Sequence, residues 1–409
     1  MNVTITPTKL HGSVTPPPSK SQTHRLLIAA ALAQGESVIS NVALSEDIKA
    51  TIRCLKELGA ELHLDGSTLT VQGIGANAMS PLQKLALPQM DCGESGSTLR
   101  FLIPVALAVR GGGIFTGHGR LMERPLQPYF DLFDEKGISY ELKDGVLTVS
   151  GQLTPGEYRL PGDVSSQFFT GLMFALPLLK GDSRIVLTSP LESGNYVELT
   201  RDIIKTAGVS IRGGDLLGGQ TYRPIQETVE TDWSQAAFWY AAHALGNELI
   251  VLGLNPFSLQ PDAQVSTIYL QLCQSDDEAD VDVSQCPDLF PALALMAAMR
   301  PGSAVTNIGG AARLRLKESD RISAVVEVLT KLGVPVQEFD DGISVTNVWG
   351  FPGGVEINCH NDHRIAMMAA IAATRCSGPI TLLGAQCVNK SYPAFWADYE
   401  ALGGQIVRS

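Results

Sequence analysis

The feature that most constrains the fold is a unit that recurs six times along the chain. Each copy begins with a polar or glycine-containing turn, continues into an apolar helix, breaks at a short turn, and leads into a strand. The copies are separated by roughly 55 to 80 residues, a spacing within reach of large structural repeats. In chain order the helical stretches are "HRLLIAAALAQG", "GESGSTLRFLIPVALAVRGG", "GDVSSQFFTGLMFALPLLKG", "TDWSQAAFWYAAHALG", "CPDLFPALALMAAMRPG" and "NDHRIAMMAAIAATRC".

The apolar helix of each unit is hydrophobic on nearly every face, so we expect it to be buried on all sides. Most units continue with an amphipathic helix and two strands around an Asp-Gly turn, for example "LQPYFDLFDEKGISYELKDGVLTVSG". Six buried helices divide most simply into two domains of three units. The alternative is a generic α/β chain whose helices are alike only in composition, but the shared order of elements favours a repeat.

Length, charge and cysteine usage narrow the class of protein. The chain has 409 residues, enough for two large domains, and a net charge of -12, which argues against broad binding to nucleic acid or anionic membranes. Its seven cysteines are widely spaced and form no CxxC pair, a pattern typical of buried thiols. The sequence has no signal-peptide pattern and no apolar run of bilayer length, so we expect a cytoplasmic protein.

Lysines and arginines concentrate in the turns before the apolar helices, although the chain is acidic overall. If the buried helices run parallel, their N termini converge and attract anions. These turns therefore predict a site for a strongly anionic small molecule, with arginine forming bidentate contacts. Two of the cations, Lys20 and Arg25, stand at the positive end of a helix dipole, where we expect them to be badly placed until an anion binds.

Several of these residues have simpler explanations when taken one at a time. Arg100 and Arg120 are typical of structural ion pairs, and His24 and His363 of hydrogen-bonded packing residues. No Walker A loop, HExxH, GxSxG or zinc-ligand spacing occurs in the sequence, so we expect neither a metal site nor an acyl-enzyme.

Together, the turns resemble the 5-enolpyruvylshikimate-3-phosphate synthase (3-phosphoshikimate 1-carboxyvinyltransferase) family of enolpyruvyl transferases. The resemblance implies an α/β fold: a two-domain inside-out α/β prism with six βαβαββ-type repeats, three per domain, around buried parallel helices. The matching segments occur in family order between residues 16 and 396 and are "PPSKSQTHR", "GESGSTLRF", "MERPLQP", "GDVSSQFFTGL", "SGNYVELT", "CPDLFPALA", "RLKESDRI", "NDHRIAM" and "NKSYPAFW".

The resemblance also implies where the domains lie. Residues 1–19 with 231–409 would form the C-terminal domain, which includes the N-terminal strand, and residues 20–230 the N-terminal domain. The active-site cleft would lie between them, with hinges near 16–20 and 228–232. The segment from 255 to 285 is shortened and matches the family poorly.

By resemblance, the chain transfers the enolpyruvyl group of phosphoenolpyruvate (PEP) to the 5-hydroxyl of shikimate 3-phosphate. The products are 5-enolpyruvylshikimate 3-phosphate and phosphate, in the shikimate pathway of chorismate and aromatic amino acid biosynthesis. The resemblance implies no metal or other cofactor, these two small-molecule substrates as partners, no nucleic acid or membrane partner, and a monomer. Such chemistry needs a base for the hydroxyl, an acid near the PEP methylene, and cations for the carboxylate and phosphate.

The family's functional residues carry over motif by motif. Asp288 would be the base for the 5-hydroxyl, and Glu318, with Lys20, would shuttle the proton at the methylene. The residues expected to bind shikimate 3-phosphate are Lys20, Ser21, Arg25, Ser165, Ser166, Gln167, Ser193, Tyr196, Asp288, Arg313 and Lys317. Those expected to bind PEP are Lys20, Gly96, Arg124, Gln167, Arg321, Arg364 and Lys390.

Three positions depart from the form that is common in bacterial members. Glu94 and Ser97 stand where Asn and Thr are frequent, and Arg313 where Asn is frequent. An acid at Glu94 would need a cation such as Arg100 or Lys20 beside the PEP phosphate.

Two alternatives remain open from the sequence. The first is a UDP-N-acetylglucosamine enolpyruvyl transferase, a family that carries a cysteine-bearing loop between its second and third units. The corresponding segment here, "GHGRLMERPLQ", has no cysteine, and "KESDR" with "NDHR" favours the shikimate branch. The second is a non-catalytic repeat scaffold, which would be expected to lose acid, base or binding residues that this chain retains.

Overall fold

The protein is described by a computed structural model that covers residues 1–76, 86–212, 214–274, 277–302 and 305–409. The described chain forms two compact units. The split unit consists of Met1–Pro17 with Thr231–Ser409, and the continuous unit of Pro18–Glu230.

The chain passes from one unit to the other twice, and backbone hydrogen bonds join the two crossing segments. The carbonyl of Pro17 accepts from the N–H of Asp232 at 2.8 Å, and the carbonyl of Glu230 accepts from the N–H of Ser19 at 2.7 Å. The two crossing segments therefore run side by side where the chain leaves the split unit and where it returns to it.

The described residues contain twelve α-helices, which alternate between buried and amphipathic. The buried helices are α1 (Lys20–Leu32), α3 (Gly96–Arg110), α5 (Ser166–Ala175), α7 (Trp233–Ala244), α9 (Phe290–Ala298) and α11 (His363–Ala372). The amphipathic helices are α2 (Glu46–Leu58), α4 (Gln127–Lys136), α6 (Gly194–Thr206), α8 (Val265–Gln274), α10 (Arg321–Lys331) and α12 (Phe395–Ala401).

The strands of the described residues are short and follow the helices in a repeated order. They are β1 (Val3–Thr6), β2 (His11–Val14), β3 (Glu36–Ser40), β4 (Glu61–Asp65), β5 (Thr68–Gln72), β6 (Gln89–Asp91), β7 (Gly112–Thr116), β8 (Ser139–Lys143), β9 (Val146–Ser150), β10 (Gly156–Leu160), β11 (Ser183–Leu187), β12 (Ile211–Arg212), β13 (Asp215–Leu216), β14 (Gln226–Thr228), β15 (Glu248–Val251), β16 (Ala279–Asp282), β17 (Val305–Gly309), β18 (Val336–Phe339), β19 (Gly342–Thr346), β20 (Glu356–Asn358), β21 (Ile380–Leu383) and β22 (Gln405–Arg408).

Five sheets of the described chain share one plan, in which a parallel pair of strands is extended by two antiparallel strands. In the continuous unit they are β14-β3-β5-β4, β6-β7-β9-β8 and β10-β11-β13-β12. In the split unit they are β16-β17-β19-β18 and β20-β21-β1-β22. In four of these sheets a buried helix lies between the two parallel strands in the chain, which is the expected crossover connection. In the sheet β14-β3-β5-β4, α1 instead precedes β3, and the parallel partner β14 comes from the end of the continuous unit.

The remaining sheet, β15-β2, has two strands. It belongs to the repeat that contains the shortened segment from 255 to 285. In that segment the structure has α8 and β16. Residues 275 and 276 of that segment lie outside the described residues.

The Asp-Gly turns close hairpins as predicted. Between β8 and β9, Asp144 and Gly145 have φ angles of 51° and 75°, the left-handed pair that a two-residue hairpin turn requires. The predicted α/β repeat architecture is therefore confirmed in its helices, parallel pairs and hairpins.

Each unit has its own apolar core, and the buried helices lie inside it. Every residue of α9 and of α11 is buried, as expected for helices without a polar face. The amphipathic helix α2 instead turns Ile48, Leu55 and Leu58 inward. The seven cysteines are free thiols, and all but Cys273 are buried.

Helix caps bring polar residues to the starts of the buried helices. Ser19, Ser95 and Ser165 accept hydrogen bonds from N–H groups in the first turns of α1, α3 and α5. Asp232 and Asp362 do the same for α7 and α11. Such caps satisfy N–H groups that lack a partner within the helix. No helix in the described ranges is long and apolar enough to cross a bilayer.

Candidate active site

In the split unit, the buried guanidinium of Arg321 contacts three carboxylates. Nε donates to Asp362 at 2.9 Å, Nη1 to Asp288 at 3.1 Å, and Nη2 to Glu318 at 2.6 Å. Arg321 is the first residue of α10, and its side chain is 1% exposed. Burial opposes its charge, but the three carboxylates outweigh burial and raise the pKa of Arg321.

A second arginine holds the other oxygen of Asp288. Arg364, in the first turn of α11, donates from Nη2 to the Asp288 carboxylate at 2.8 Å and from Nη1 to its backbone carbonyl at 3.1 Å. Burial raises the pKa of Asp288, but Arg364, Lys317 and Arg321 outweigh it and hold that pKa well below its usual range. Asp288 is therefore an ionised carboxylate, and with both arginines bound to it, it is a weak base.

Asp362 is a site residue that sequence reasoning missed. It is fully buried, and it caps α11 by accepting from the N–H of Arg364 at 2.9 Å. It also accepts from the hydroxyl of Ser319 at 3.0 Å and from Arg321. Its position just before a buried helix could have marked it as a candidate site residue. An aspartate at that position is also an ordinary helix cap, so the position alone does not indicate a site. One carboxylate thus fixes both a helix start and the orientation of Arg321.

Lys317 and Arg313 lie on the segment that leads to α10. Burial lowers the pKa of Lys317 to about 8, even though Asp288 and Glu318 act to raise it. Lys317 thus titrates close to neutral pH. Arg313 is buried and donates to the backbone carbonyl of Ser284.

Lys390 comes from a later turn but lies beside the start of α11. Its ammonium donates to the carbonyl of Asn361 at 2.5 Å. His360 and Asn361 both have positive φ, 51° and 53°, which costs energy for residues with side chains. The split unit therefore brings together the predicted Asp288, Glu318, Arg321 and Arg364, with Lys317 and Lys390 nearby.

In the continuous unit, a second group forms around the start of α3. Arg100 donates to Oε1 of Gln167 at 2.8 Å, and Nε2 of Gln167 donates to Ser97 at 3.0 Å. A Cβ added to Gly96 would lie 2.9 Å from Nη1 of Arg124 and 3.4 Å from Oε1 of Gln167. The predicted Gly96, Arg124 and Gln167 are therefore neighbours, and a side chain at position 96 would have to displace the end of the Arg124 side chain. Arg100 belongs to this group as well, although its place in the sequence is typical only of a structural ion pair.

The predicted Arg25 is a buried cation that donates to neutral oxygens and lies over the rings of Phe101 and Tyr196. Its side chain donates to the hydroxyls of Thr200 at 2.8 Å and Thr170 at 3.4 Å, and to the carbonyls of Ser21 at 2.7 Å and Tyr196 at 3.3 Å. Within the described ranges no carboxylate lies at ion-pair distance from it. Burial lowers the pKa of Arg25 to about 10. A buried cation without a counter-charge favours binding of an anion.

The predicted Lys20 forms an ion pair within the continuous unit. Its ammonium contacts the carboxylate of Asp47 at 2.7 Å. Asp47 lies in the first turn of α2, where acids are ordinary, so its position in the sequence does not indicate an ion pair with a residue of another helix.

The predicted serines lie at the starts of two helices. Ser165 caps α5 by accepting from the N–H of Gln167 at 3.3 Å, and the next residue, Ser166, is buried. Ser193 precedes α6 in the left-handed region, with φ of 54°, and Tyr196 lies in the first turn of that helix.

Comparisons with known proteins identify the group to which the chain belongs. The family described as EPSP synthase (3-phosphoshikimate 1-carboxyvinyltransferase) matches residues 5–399. A 3-phosphoshikimate 1-carboxyvinyltransferase of Clostridium kluyveri is 43% identical over 425 residues, which cover 99% of this chain and 98% of the relative. The chain belongs to the EPSP synthase family.

Further relatives agree with this family assignment. A 3-phosphoshikimate 1-carboxyvinyltransferase of Clostridium perfringens strain 13 is 43% identical over 424 residues, 98% of each chain. The structure of EPSP synthase from Acinetobacter baumannii aligns over 100% of both chains with a TM-score of 0.77 and 25% identity. The enolpyruvyl transferase NikO of Streptomyces tendae, at 18% identity, shares the fold with a TM-score of 0.77 over 99% of this chain and 98% of its own. The predicted family and fold class are confirmed.

The buried pairing of Arg321 with Asp362 makes a stability prediction. Asp362→Ala should lower the free energy of unfolding by about 3 kcal/mol or more, because it takes one carboxylate from a buried arginine. The matched control is Asp320→Ala, which removes the cap of α10. Its side chain is 38% exposed, and the expected loss is about 1 kcal/mol.

Urea unfolding followed by tryptophan fluorescence measures this difference in the relevant unit. All four tryptophans, Trp233, Trp239, Trp349 and Trp396, belong to the split unit. Equal losses in the two variants would contradict the role assigned to Asp362.

Proposed function

We propose that this chain transfers the enolpyruvyl group of PEP to the 5-hydroxyl of shikimate 3-phosphate, giving 5-enolpyruvylshikimate 3-phosphate and phosphate. The observation that carries the proposal is the direct contact of Asp288, Glu318, Arg321 and Arg364 in the split unit. This group combines two carboxylates for proton transfer with two cations for anionic substrates. Membership of the EPSP synthase family, with 43% identity to named members, supports the same reaction.

The carboxylates would carry the protons of the reaction. Protonation of the PEP methylene makes an oxocarbenium-like centre at the adjacent carbon, which the 5-hydroxyl attacks as Asp288 takes its proton. Glu318, with Lys20, would deliver the methylene proton and later remove one from the methyl group. Loss of that proton and cleavage of the bond to phosphate restore the double bond.

The arginines would couple substrate binding to the basicity of Asp288. In the structure both Arg321 and Arg364 donate to its carboxylate, so its pKa is low. When these arginines and Lys390 bind the anionic groups of PEP, their charge is shared with the substrate. The proton affinity of Asp288 then rises, which suits a base that must accept the hydroxyl proton.

The continuous unit would supply the remaining contacts. Arg25, with Ser21, would bind the carboxylate of shikimate 3-phosphate, since the hydrogen-bond acceptors of Arg25 in the described residues are neutral oxygens. Gly96 would let the PEP phosphate approach the backbone, beside Arg124 and Lys20. The 3-phosphate would bind Ser165, Ser166, Ser193, Arg313 and Lys317, while Gln167 would pack on the ring and Tyr196 would lie nearby.

The proposal includes the organisation of the molecule. The domains would be 1–19 with 231–409 and 20–230, and substrates would bind in a cleft between them that closes about hinges near 16–20 and 228–232. We further propose that the enzyme acts as a monomer in the cytoplasm. The proposed reaction uses no metal and no organic cofactor.

The decisive experiment is an assay of phosphate release from PEP with purified protein. We expect release that depends on shikimate 3-phosphate and is absent with UDP-N-acetylglucosamine. Turnover with the nucleotide sugar alone would replace the proposal by the other enolpyruvyl transfer. If neither acceptor led to release of phosphate, the result would support the alternative of a non-catalytic repeat scaffold.

Removal of the proposed base should separate catalysis from binding. We expect Asp288→Ala to lower kcat by about 10²-fold or more and to leave the affinity for shikimate 3-phosphate, measured by calorimetry, nearly unchanged. Asp280→Ala is the control, since Asp280 is exposed and contacts Asn307 on the neighbouring strand. Near-normal turnover of Asp288→Ala would show that another group is the base.

The lowered pKa of Lys317 predicts a pH dependence of substrate binding. Because Lys317 loses its proton as the pH rises through about 8, the KM for shikimate 3-phosphate should increase by several-fold, up to about tenfold, between pH 7 and 9. In Lys317→Arg the cation persists, so its KM should be nearly constant over the same range. An equal rise in both proteins would assign the pH dependence to a different group.

A further inference from the structure

Two adjacent polar contacts join α1 to α2 in the continuous unit. The ammonium of Lys20 contacts Asp47 at 2.7 Å, and Nδ1 of His24 contacts the hydroxyl of Thr51 at 2.7 Å. Lys20 and His24 are four residues apart on α1, as Asp47 and Thr51 are on α2, so each pair lies on one helix face. The two contacts therefore form neighbouring links between the same two helices.

The second contact continues into α3 as a chain of side-chain hydrogen bonds. The hydroxyls of Thr51 and Thr98 are 2.7 Å apart, and the hydroxyl of Thr98 donates to Ser95 at 2.8 Å. Ser95 in turn caps α3 by accepting from the N–H of Thr98 at 3.1 Å. His24, Thr51, Thr98 and Ser95 are each 0% exposed, so these bonds do not compete with bulk water.

The direction of this chain fixes the proton on His24. Thr98 donates its only hydroxyl proton to Ser95, so it accepts from Thr51, and Thr51 accepts from Nδ1–H of His24. Within the described ranges, Nε2 of His24 is buried without a hydrogen-bond partner. A buried nitrogen without a partner costs less free energy when it carries only a lone pair than when it carries an N–H. Nε2 is therefore the unprotonated nitrogen of the ring. Burial, with Lys20 and Arg25, also holds the pKa of His24 well below its usual value, so the ring is neutral.

The chain ends at the residue before Gly96. Ser95 sets the first turn of α3, and Gly96 follows it directly. The hydroxyl of Thr98 also lies 3.5 Å from the carbonyl of Asp47, the residue that pairs with Lys20. The network therefore lies next to both PEP contacts proposed in this region, since it ends beside Gly96 and touches the backbone of Asp47, the partner of Lys20.

We propose that His24 is a positioning residue for PEP, which orients Gly96 and Lys20 through Thr51, Thr98 and Ser95. The inference rests on the proposed function for the identity of the substrate. A simple packing role would need only the shape of the ring. A positioning role needs its hydrogen bond to Thr51, and the two roles are separable by substitution.

The experiment compares two substitutions of His24 in the full-length protein. His24→Leu removes the hydrogen bond, and the KM for PEP should rise about tenfold or more, since small misplacements of binding groups are costly. His24→Asn keeps an amide N–H near the position of Nδ1, and it should stay within about threefold of wild type by the same argument. Binding of shikimate 3-phosphate alone should weaken less than the KM for PEP rises, since Lys20 is expected to serve both substrates but Arg25 is held by Thr170 and Thr200 instead.

Thr51→Val tests the same link from the other side, without altering α1. It should reproduce the increase in KM for PEP, and the double variant with His24→Leu should be no worse than either single one, because both break one interaction. The control is Ser37→Ala, which removes a buried hydrogen bond to the N–H of Ile225 in the same unit. Ser37→Ala should destabilise the protein without changing the KM for PEP.

The outcomes separate this inference from the function on which it rests. If the wild-type protein releases no phosphate with shikimate 3-phosphate, the proposed function fails. If wild type is active but Thr51→Val keeps a normal KM for PEP, or its effect adds to that of His24→Leu, the positioning role is overturned. A similar increase in KM in His24→Asn and His24→Leu would also overturn it and leave only ring packing.

Discussion

A helix that is apolar on every side must be buried, and this constraint determines where the chemistry can lie. Burial of α1, α3, α5, α7, α9 and α11 leaves only their ends for polar groups. The first turns need acceptors for unpaired N–H groups, and serines and aspartates supply them at five of the six starts. The same starts carry several of the predicted substrate-binding residues, among them Lys20, Gly96 and Arg364. In this fold, the residues that cap the buried helices and several residues predicted to bind substrate therefore lie in the same first turns.

Charge is distributed differently in the two units. The split unit places arginines among carboxylates, so Arg321 and Arg364 are neutralised by Asp288, Glu318 and Asp362. In the continuous unit, the oxygens that Arg25 contacts in the described residues are all neutral, and its guanidinium lies over the rings of Phe101 and Tyr196. An anion binding to the split unit must share its cations with existing carboxylates, while one binding to Arg25 meets no such competition. The first arrangement suits proton transfer, and the second suits simple recognition.

Much of this could be predicted from the sequence, because apolar periodicity and turn residues are local signals. Both the six buried helices and the Asp-Gly hairpins followed from such patterns, and the motif residues followed from resemblance. Asp47 and Asp362 were missed as site residues because an acid in a first turn or at a cap is ordinary in any helix. Thr51 and Thr98 gave no signal either, since their role depends on three helices meeting. Pairing across long distances, such as β14 with β3, has no local signature.

The sheet β20-β21-β1-β22 has a consequence for the order of folding during synthesis. The strand β1, which lies between β21 and β22, is made first, but these partners lie at Ile380–Leu383 and Gln405–Arg408. By contrast, all strands of the continuous unit's sheets have left the ribosome once β14 has emerged. Because domains generally fold as units during translation, the continuous unit can fold while the first strand still waits for its neighbours. The sheet of β1 is thus completed only when β21 and β22 have been made, and the N-terminal strand is among the last elements to pair.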